Sequence, residues 1–139
     1  MWARRSMAIE SDGGFWLVLG LMVLLFPLRI SCGIMLAAAI HELGHISALV
    51  LCGGRVRRIR LHPGVAEILA APLPPGRELL CTLAGPAAGS LTALAWQVFP
   101  ELAAAGLVQT VFNLLPLPGL DGGRMVRNIC CKLRRFGVQ

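Results

Sequence analysis

The chain has 139 residues, 56% of them hydrophobic and 14% charged, with a mean hydropathy of +0.72 and a net charge of +6. A soluble domain carries roughly 25% charged residues, so this composition excludes an ordinary water-soluble globule and points to one compact membrane domain. The basic residues flank apolar runs, where membrane topology puts them, rather than forming a phosphate-binding patch, and nucleic acid is not expected as a partner.

In chain order, Trp2-Ala3-Arg4-Arg5 followed by an apolar run from Phe15 imitates a signal peptide. No small-x-small cleavage site follows, and Arg29 spoils a lipoprotein-type site at Ile30-Ser31-Cys32, so an uncleaved first span is expected. Met7 offers a second possible start besides Met1. A helix crosses the hydrocarbon core with about 20 mostly apolar residues. Four stretches qualify: about Gly14–Leu28, Gly33–Cys52, Leu79–Phe99 and Leu102–Leu117, the last interrupted by Pro116 and Pro118. The expected fold is therefore an all-α membrane protein of about four transmembrane helices.

Between spans two and three, Arg55–Leu61 partly alternates, His62-Pro63-Gly64 supplies a turn, and Val65–Ala71 reads as a returning strand ended by Pro72, Pro74 and Pro75. A β-hairpin over about 55–71 is expected; a basic loop anchored to anionic lipid is the alternative. Residues of about 122–136 mix apolar and basic character, as a helix lying in the membrane interface does. Twelve of the thirteen basic residues then fall on the side that holds both termini and the 53–78 loop, with Arg29 opposite. By the positive-inside rule both termini are cytoplasmic.

Five cysteines, Cys32, Cys52, Cys81, Cys130 and Cys131, form no CxxC pair and read as small buried hydrophobes. Palmitoylation or metal binding at Cys130-Cys131 is a weaker alternative.

The chemistry sits in His41-Glu42-Leu43-Gly44-His45, inside an apolar span. Ionisable groups at such depth are costly and mark function by default. Residues four apart share one helix face, so the two imidazoles can hold one zinc ion, with Glu42 beside them as general base. A catalytic zinc site needs a third protein ligand. His62 falls in a turn and reads as a surface residue. Asp121 lies in Asn113-Leu114-Leu115-Pro116-Leu117-Pro118-Gly119-Leu120-Asp121-Gly122-Gly123, whose prolines and glycines break the helix. Broken backbone at membrane depth is tolerated where it lines a cavity or is buried in protein. Asp121 is thus either a ligand or a helix N-cap.

HELGH on one span and Asn113-x-x-Pro116-x-x-x-Leu120-Asp121-Gly122 on a later one resemble the site-2 protease family of intramembrane zinc metalloproteases, and Ala84-Gly85-Pro86-Ala87-Ala88-Gly89 is similar to that family's intervening motif. The resemblance spans about Ile34 to Arg124. It implies one Zn²⁺ per chain held by His41, His45 and Asp121, with Glu42 as catalytic base. It also implies a membrane-anchored protein substrate, membrane regulator proteins, and a reentrant sheet that pairs with unfolded substrate. Asn113 is a candidate donor to substrate or oxyanion, or else a polar contact between helices. The Gly85, Pro86 and Gly89 cluster is read as architecture, letting helices approach closely. The compact plan most resembles the sporulation-factor branch, whose members cleave a membrane-tethered sigma-factor precursor in a bacterial cell membrane. Rival functions are an inactive binder of membrane clients and a divalent-metal transporter.

Overall fold

The structure is a computed structural model that describes residues 8–63 and 65–136. The expectations placed on Trp2–Arg5 and on Met7 as a start lie outside these residues. Five helices and a three-stranded sheet follow in the order β1 (Ala8–Ser11), α1 (Gly13–Leu25), α2 (Leu28–Leu51), β2 (Val56–His62), β3 (Val65–Ala70), α3 (Pro75–Leu91), α4 (Pro100–Asn113) and α5 (Asp121–Phe136). A 3₁₀ turn, Thr92–Ala95, extends α3.

Local chemistry sets these boundaries. The Asp12 side chain caps α1 by accepting from the Phe15 N–H at 2.7 Å. Pro27 ends α1 and opens α2, because it offers no N–H to continue the first helix. Pro75 and Pro100 sit in the first turns of α3 and α4, where the missing N–H costs nothing. Pro116 and Pro118 stop any continuation of α4, and Gly119 takes φ +93° in the turn that leads into α5.

Helices α2, α3 and α4 pack on one another through small residues. Gly33 of α2 lies against the backbone of Glu101 and Leu102 in α4, and Gly44 of α2 against Ala84 and Ala88 in α3. Gly106 of α4 abuts Thr92, whose hydroxyl donates to the Gly89 carbonyl at 2.6 Å. Such contacts suit a membrane, where association rests on close approach rather than on expelling water.

The buried apolar side chains among the described residues are Ala37, Leu49, Leu102 and Ala103, whereas Leu51, Leu94 and Val98 are 87%, 85% and 84% exposed. Helix α1 buries no residue. So much exposed apolar surface is stable only against a non-aqueous surrounding. Two helical stretches, Leu28–Leu51 and Gly76–Ala95, are long and apolar enough to cross a membrane. The other two expected spans are shorter than foreseen. Helices α1 and α4 have 13 and 14 residues, or roughly 20 Å each at 1.5 Å per residue, because Pro27 and Pro116 cut them.

The expected hairpin is present, with β2 and β3 antiparallel and an irregularity between Val56 and Arg58. A third strand, β1, joins it in parallel, with Ala8 opposite Arg58 and Ser11 opposite Leu61, so the order is β1-β2-β3. Glu10 bridges Arg58 at 2.8 Å and Arg60 at 3.3 Å, and His62 Nδ1 donates to Asp12 at 2.8 Å.

The cysteine reading needs correction. Cys32, Cys130 and Cys131 are exposed and Cys52 and Cys81 half-buried, all as free thiols. Their apolar setting is the outer face of helices, not a protein core.

Candidate metal centre

His41 and His45 lie one turn apart in the second half of α2. Their rings stand edge to face, with centroids 4.8 Å apart and planes at 81°. Their Nε2 atoms are 3.1 Å from each other. Asp121, the first residue of α5, brings Oδ2 to 3.0 Å from His41 Nε2 and 3.1 Å from His45 Nε2. The broken Asn113–Leu120 segment makes this possible: it turns the chain back so that α5 starts beside α2. Gly122 and Gly123 then pass close to the carbonyls of Leu114 and Leu117.

The donor chemistry fits a metal cation. The His45 Nδ1 donates to the Cys81 carbonyl at 2.8 Å, which leaves Nε2 as a bare lone pair. That lone pair faces a carboxylate oxygen and a second imidazole nitrogen in a buried place; His41 and Asp121 are 2% and 6% exposed. Electron-rich atoms held so close need positive charge among them. Ligands 2.0–2.1 Å from a tetrahedral zinc lie roughly 3.3 Å apart, close to the edges of this triangle. His41, His45 and Asp121 form a group that could hold one ion. The Cys81 carbonyl holds the His45 ring as an outer partner holds a histidine that binds metal.

Glu42 is half-buried on the same helix and forms no ion pair or hydrogen bond with a described residue. Asn113 closes α4 with its Nδ2 3.3 Å from His41 Nε2. His62 is not brought to the centre: it belongs to the sheet, bonded to Asp12.

Two contributors escaped the sequence reading. One is the Cys81 carbonyl, a backbone group that no side-chain pattern announces. The other is the particular task of Gly85. A Cβ there would overlap the His45 ring at Nε2, Cε1 and Cδ2, so the glycine forms the floor on which that imidazole lies. The sequence marked Gly85 as a helix-packing residue only.

No protein-family profile matches the sequence, and no curated protein matches it. Among solved structures, the site-2 protease from Methanocaldococcus jannaschii is similar at a TM-score of 0.74 and 25% identity, covering 89% of this chain and 67% of that one. The chain resembles the site-2 protease family in fold as well as in motif. The site-2-protease-like fold agrees with the exposed apolar helices: this is a membrane protein built mostly of helix with a small sheet at one end. The His41, His45 and Asp121 group lies on the residues whose motifs carried the resemblance.

Proposed function

We propose that this chain is a zinc-dependent intramembrane endopeptidase that hydrolyses a peptide bond in or near the transmembrane segment of a membrane-tethered protein. The observation that carries this reading is the convergence of His41 Nε2, His45 Nε2 and Asp121 Oδ2 to 3.0–3.1 Å, with Glu42 on the same helix and in no ion pair with a described residue.

Zinc, when bound, supplies Lewis acidity and makes a water a competent nucleophile near neutral pH. Glu42 takes up the proton that the attacking water sheds and returns it to the leaving amine. The Cys81 carbonyl and Gly85 keep the His45 ring in place through the cycle. Asn113 offers an amide N–H to the substrate carbonyl, from the end of α4.

A helical substrate span hides its carbonyls in its own hydrogen bonds and must unwind before cleavage. Strand addition meets the freed backbone groups. Because β2 is covered on both sides, the free edges are those of β1 and β3, and β3, with six residues against four, is where a substrate strand would add.

The topology that goes with this reading has α1, α2, α3 with its 3₁₀ extension, and α4 as four crossings, two of them short, with both termini cytoplasmic. Pairing of β1 with β2 supports it by tying residues 8–11 and 56–62 to the same end. Membership of the sporulation-factor branch would make the substrate a sigma-factor precursor; only the compact plan speaks for it.

The test is co-expression with tagged single-span membrane substrates, comparing wild type with Glu42→Gln, and zinc analysis of each purified protein. Cleavage by wild type alone, with zinc retained in Glu42→Gln, supports the protease. Equal zinc in wild type and in the His41→Ala/His45→Ala protein removes the metal site and the catalytic reading with it.

A further inference from the structure

Helix α5 uses one side for the fold. Asp121 and Asn128 are buried and Met125 half-buried, and the helix packs along α3. Its other surface is left open. Arg124 and Arg127 are exposed there and line a cleft of about 470 Å³ together with Pro116, Pro118 and Gly119 of the preceding turn. That volume is within the range of small-molecule sites, about 300–1,000 Å³.

The two guanidiniums stand three residues apart, hence side by side on one helix face. Neither forms an ion pair with a described residue. The chain's seven acids are all described and engaged elsewhere, apart from Glu42 and Glu78. Glu10, Asp12 and Glu67 are taken by the sheet, Glu101 by Arg29 and Asp121 by the histidines. Apolar groups line the cleft beside them: Val126, which is 49% exposed, with Pro116 and Pro118. A molecule that matches all of this has a compact anion joined to hydrocarbon.

We propose that the cleft between the Pro116–Gly119 turn and α5 binds one anionic phospholipid, its phosphate held by Arg124 and Arg127 and its acyl chains against Val126, Pro116 and Pro118. Arginine suits the task because its planar fork matches phosphate oxygens in pairs. The proline-rich turn supplies a rigid wall that offers no acid to compete. The proposal depends on the membrane setting and not on proteolysis, so it stands or falls apart from the proposed activity.

The experiment titrates short-chain phosphatidylglycerol into the full chain in a neutral detergent, where no leaflet potential acts, and counts bound lipid by native mass spectrometry. Three variants are compared with wild type: R124Q/R127Q, R124K/R127K, and R55Q/R57Q, which loses the same charge from exposed positions away from the cleft. Saturable binding of one lipid is expected in wild type, weakened about tenfold or more in R124Q/R127Q and within about twofold of wild type in R55Q/R57Q. The lysine variant should fall between, since it keeps the charge and loses the fork. Zinc content of each preparation serves as the check of folding. Equal weakening in both glutamine variants, or binding untouched in R124Q/R127Q, overturns the proposal. So does equal saturation by phosphatidylcholine, or displacement by inorganic phosphate at matched concentration, which would make the cleft a site for free phosphate.

Discussion

Gly85 of α3 lies directly against the imidazole of His45, where a Cβ would overlap three atoms of the ring. Adding a single methyl group there would push the ring off its 2.8 Å bond to the Cys81 carbonyl and out of the donor triangle. Gly85→Ala should therefore weaken zinc binding by roughly 10- to 100-fold, the usual cost of losing outer support to a ligand. Competition with a chromogenic chelator measures it; unchanged affinity would show that the ring can move without consequence.

Glu42 carries a different expectation, because it touches none of the three donor atoms. Glu42→Gln should keep its zinc and lose cleavage by about 10²-fold or more, the range for removing a general base. Loss of zinc in this variant would instead make Glu42 part of the metal's support.

Asp121 has two separable tasks, as a donor to the centre and as the first residue of α5. Asparagine is nearly the same size, and the hydrogen bonds of the Asp121 side chain among the described residues run to the histidines rather than to the helix backbone. Asp121→Asn should thus preserve helix content by circular dichroism while zinc affinity falls. A parallel drop in helicity would assign the effect to the helix start.

The sheet offers a pH test. The Asp12 carboxyl is held below its ordinary value of 3.8, first by the bond from His62 and next by the Phe15 N–H. A depressed carboxyl stabilises the fold above its unfolded pKa, and the contribution is lost as pH falls through the folded value. Asp12→Asn keeps the cap and removes the charge facing His62. Hydrogen exchange in β2 should be faster in the variant at pH 5, and the difference should shrink as the pH falls below about 4. A difference independent of pH would refute the charge-based account.

Much of the site was legible in the chain because membrane burial makes polar residues conspicuous. His41, Glu42 and His45 stand out in an apolar run, and Asp121 stands out in a segment that two prolines forbid from being helical. The hairpin was legible from alternation and the Pro63 turn. Strand β1 was not: four residues, Ala-Ile-Glu-Ser, hold no pattern of their own and become a strand only by pairing with residues 50 positions away, Ala8 opposite Arg58. The cysteines were misjudged for a related reason. Hydrophobicity tells which residues avoid water, and it does not separate those facing lipid from those facing protein. The tasks of Gly85 and the Cys81 carbonyl depend on where a ring from another helix lands, and spacing carries no trace of that.

The parallel pairing of β1 with β2 also orders the assembly of the molecule in time. Ala8 is made fifty residues before Arg58, and the two helices between them must be made first. The sheet can therefore close only after α1 and α2 have both been made, and β1 has no β2 to pair with until then. A bulky fusion placed close before Ala8 would meet the nascent chain at that step, so it should delay maturation more than the same fusion after Phe136.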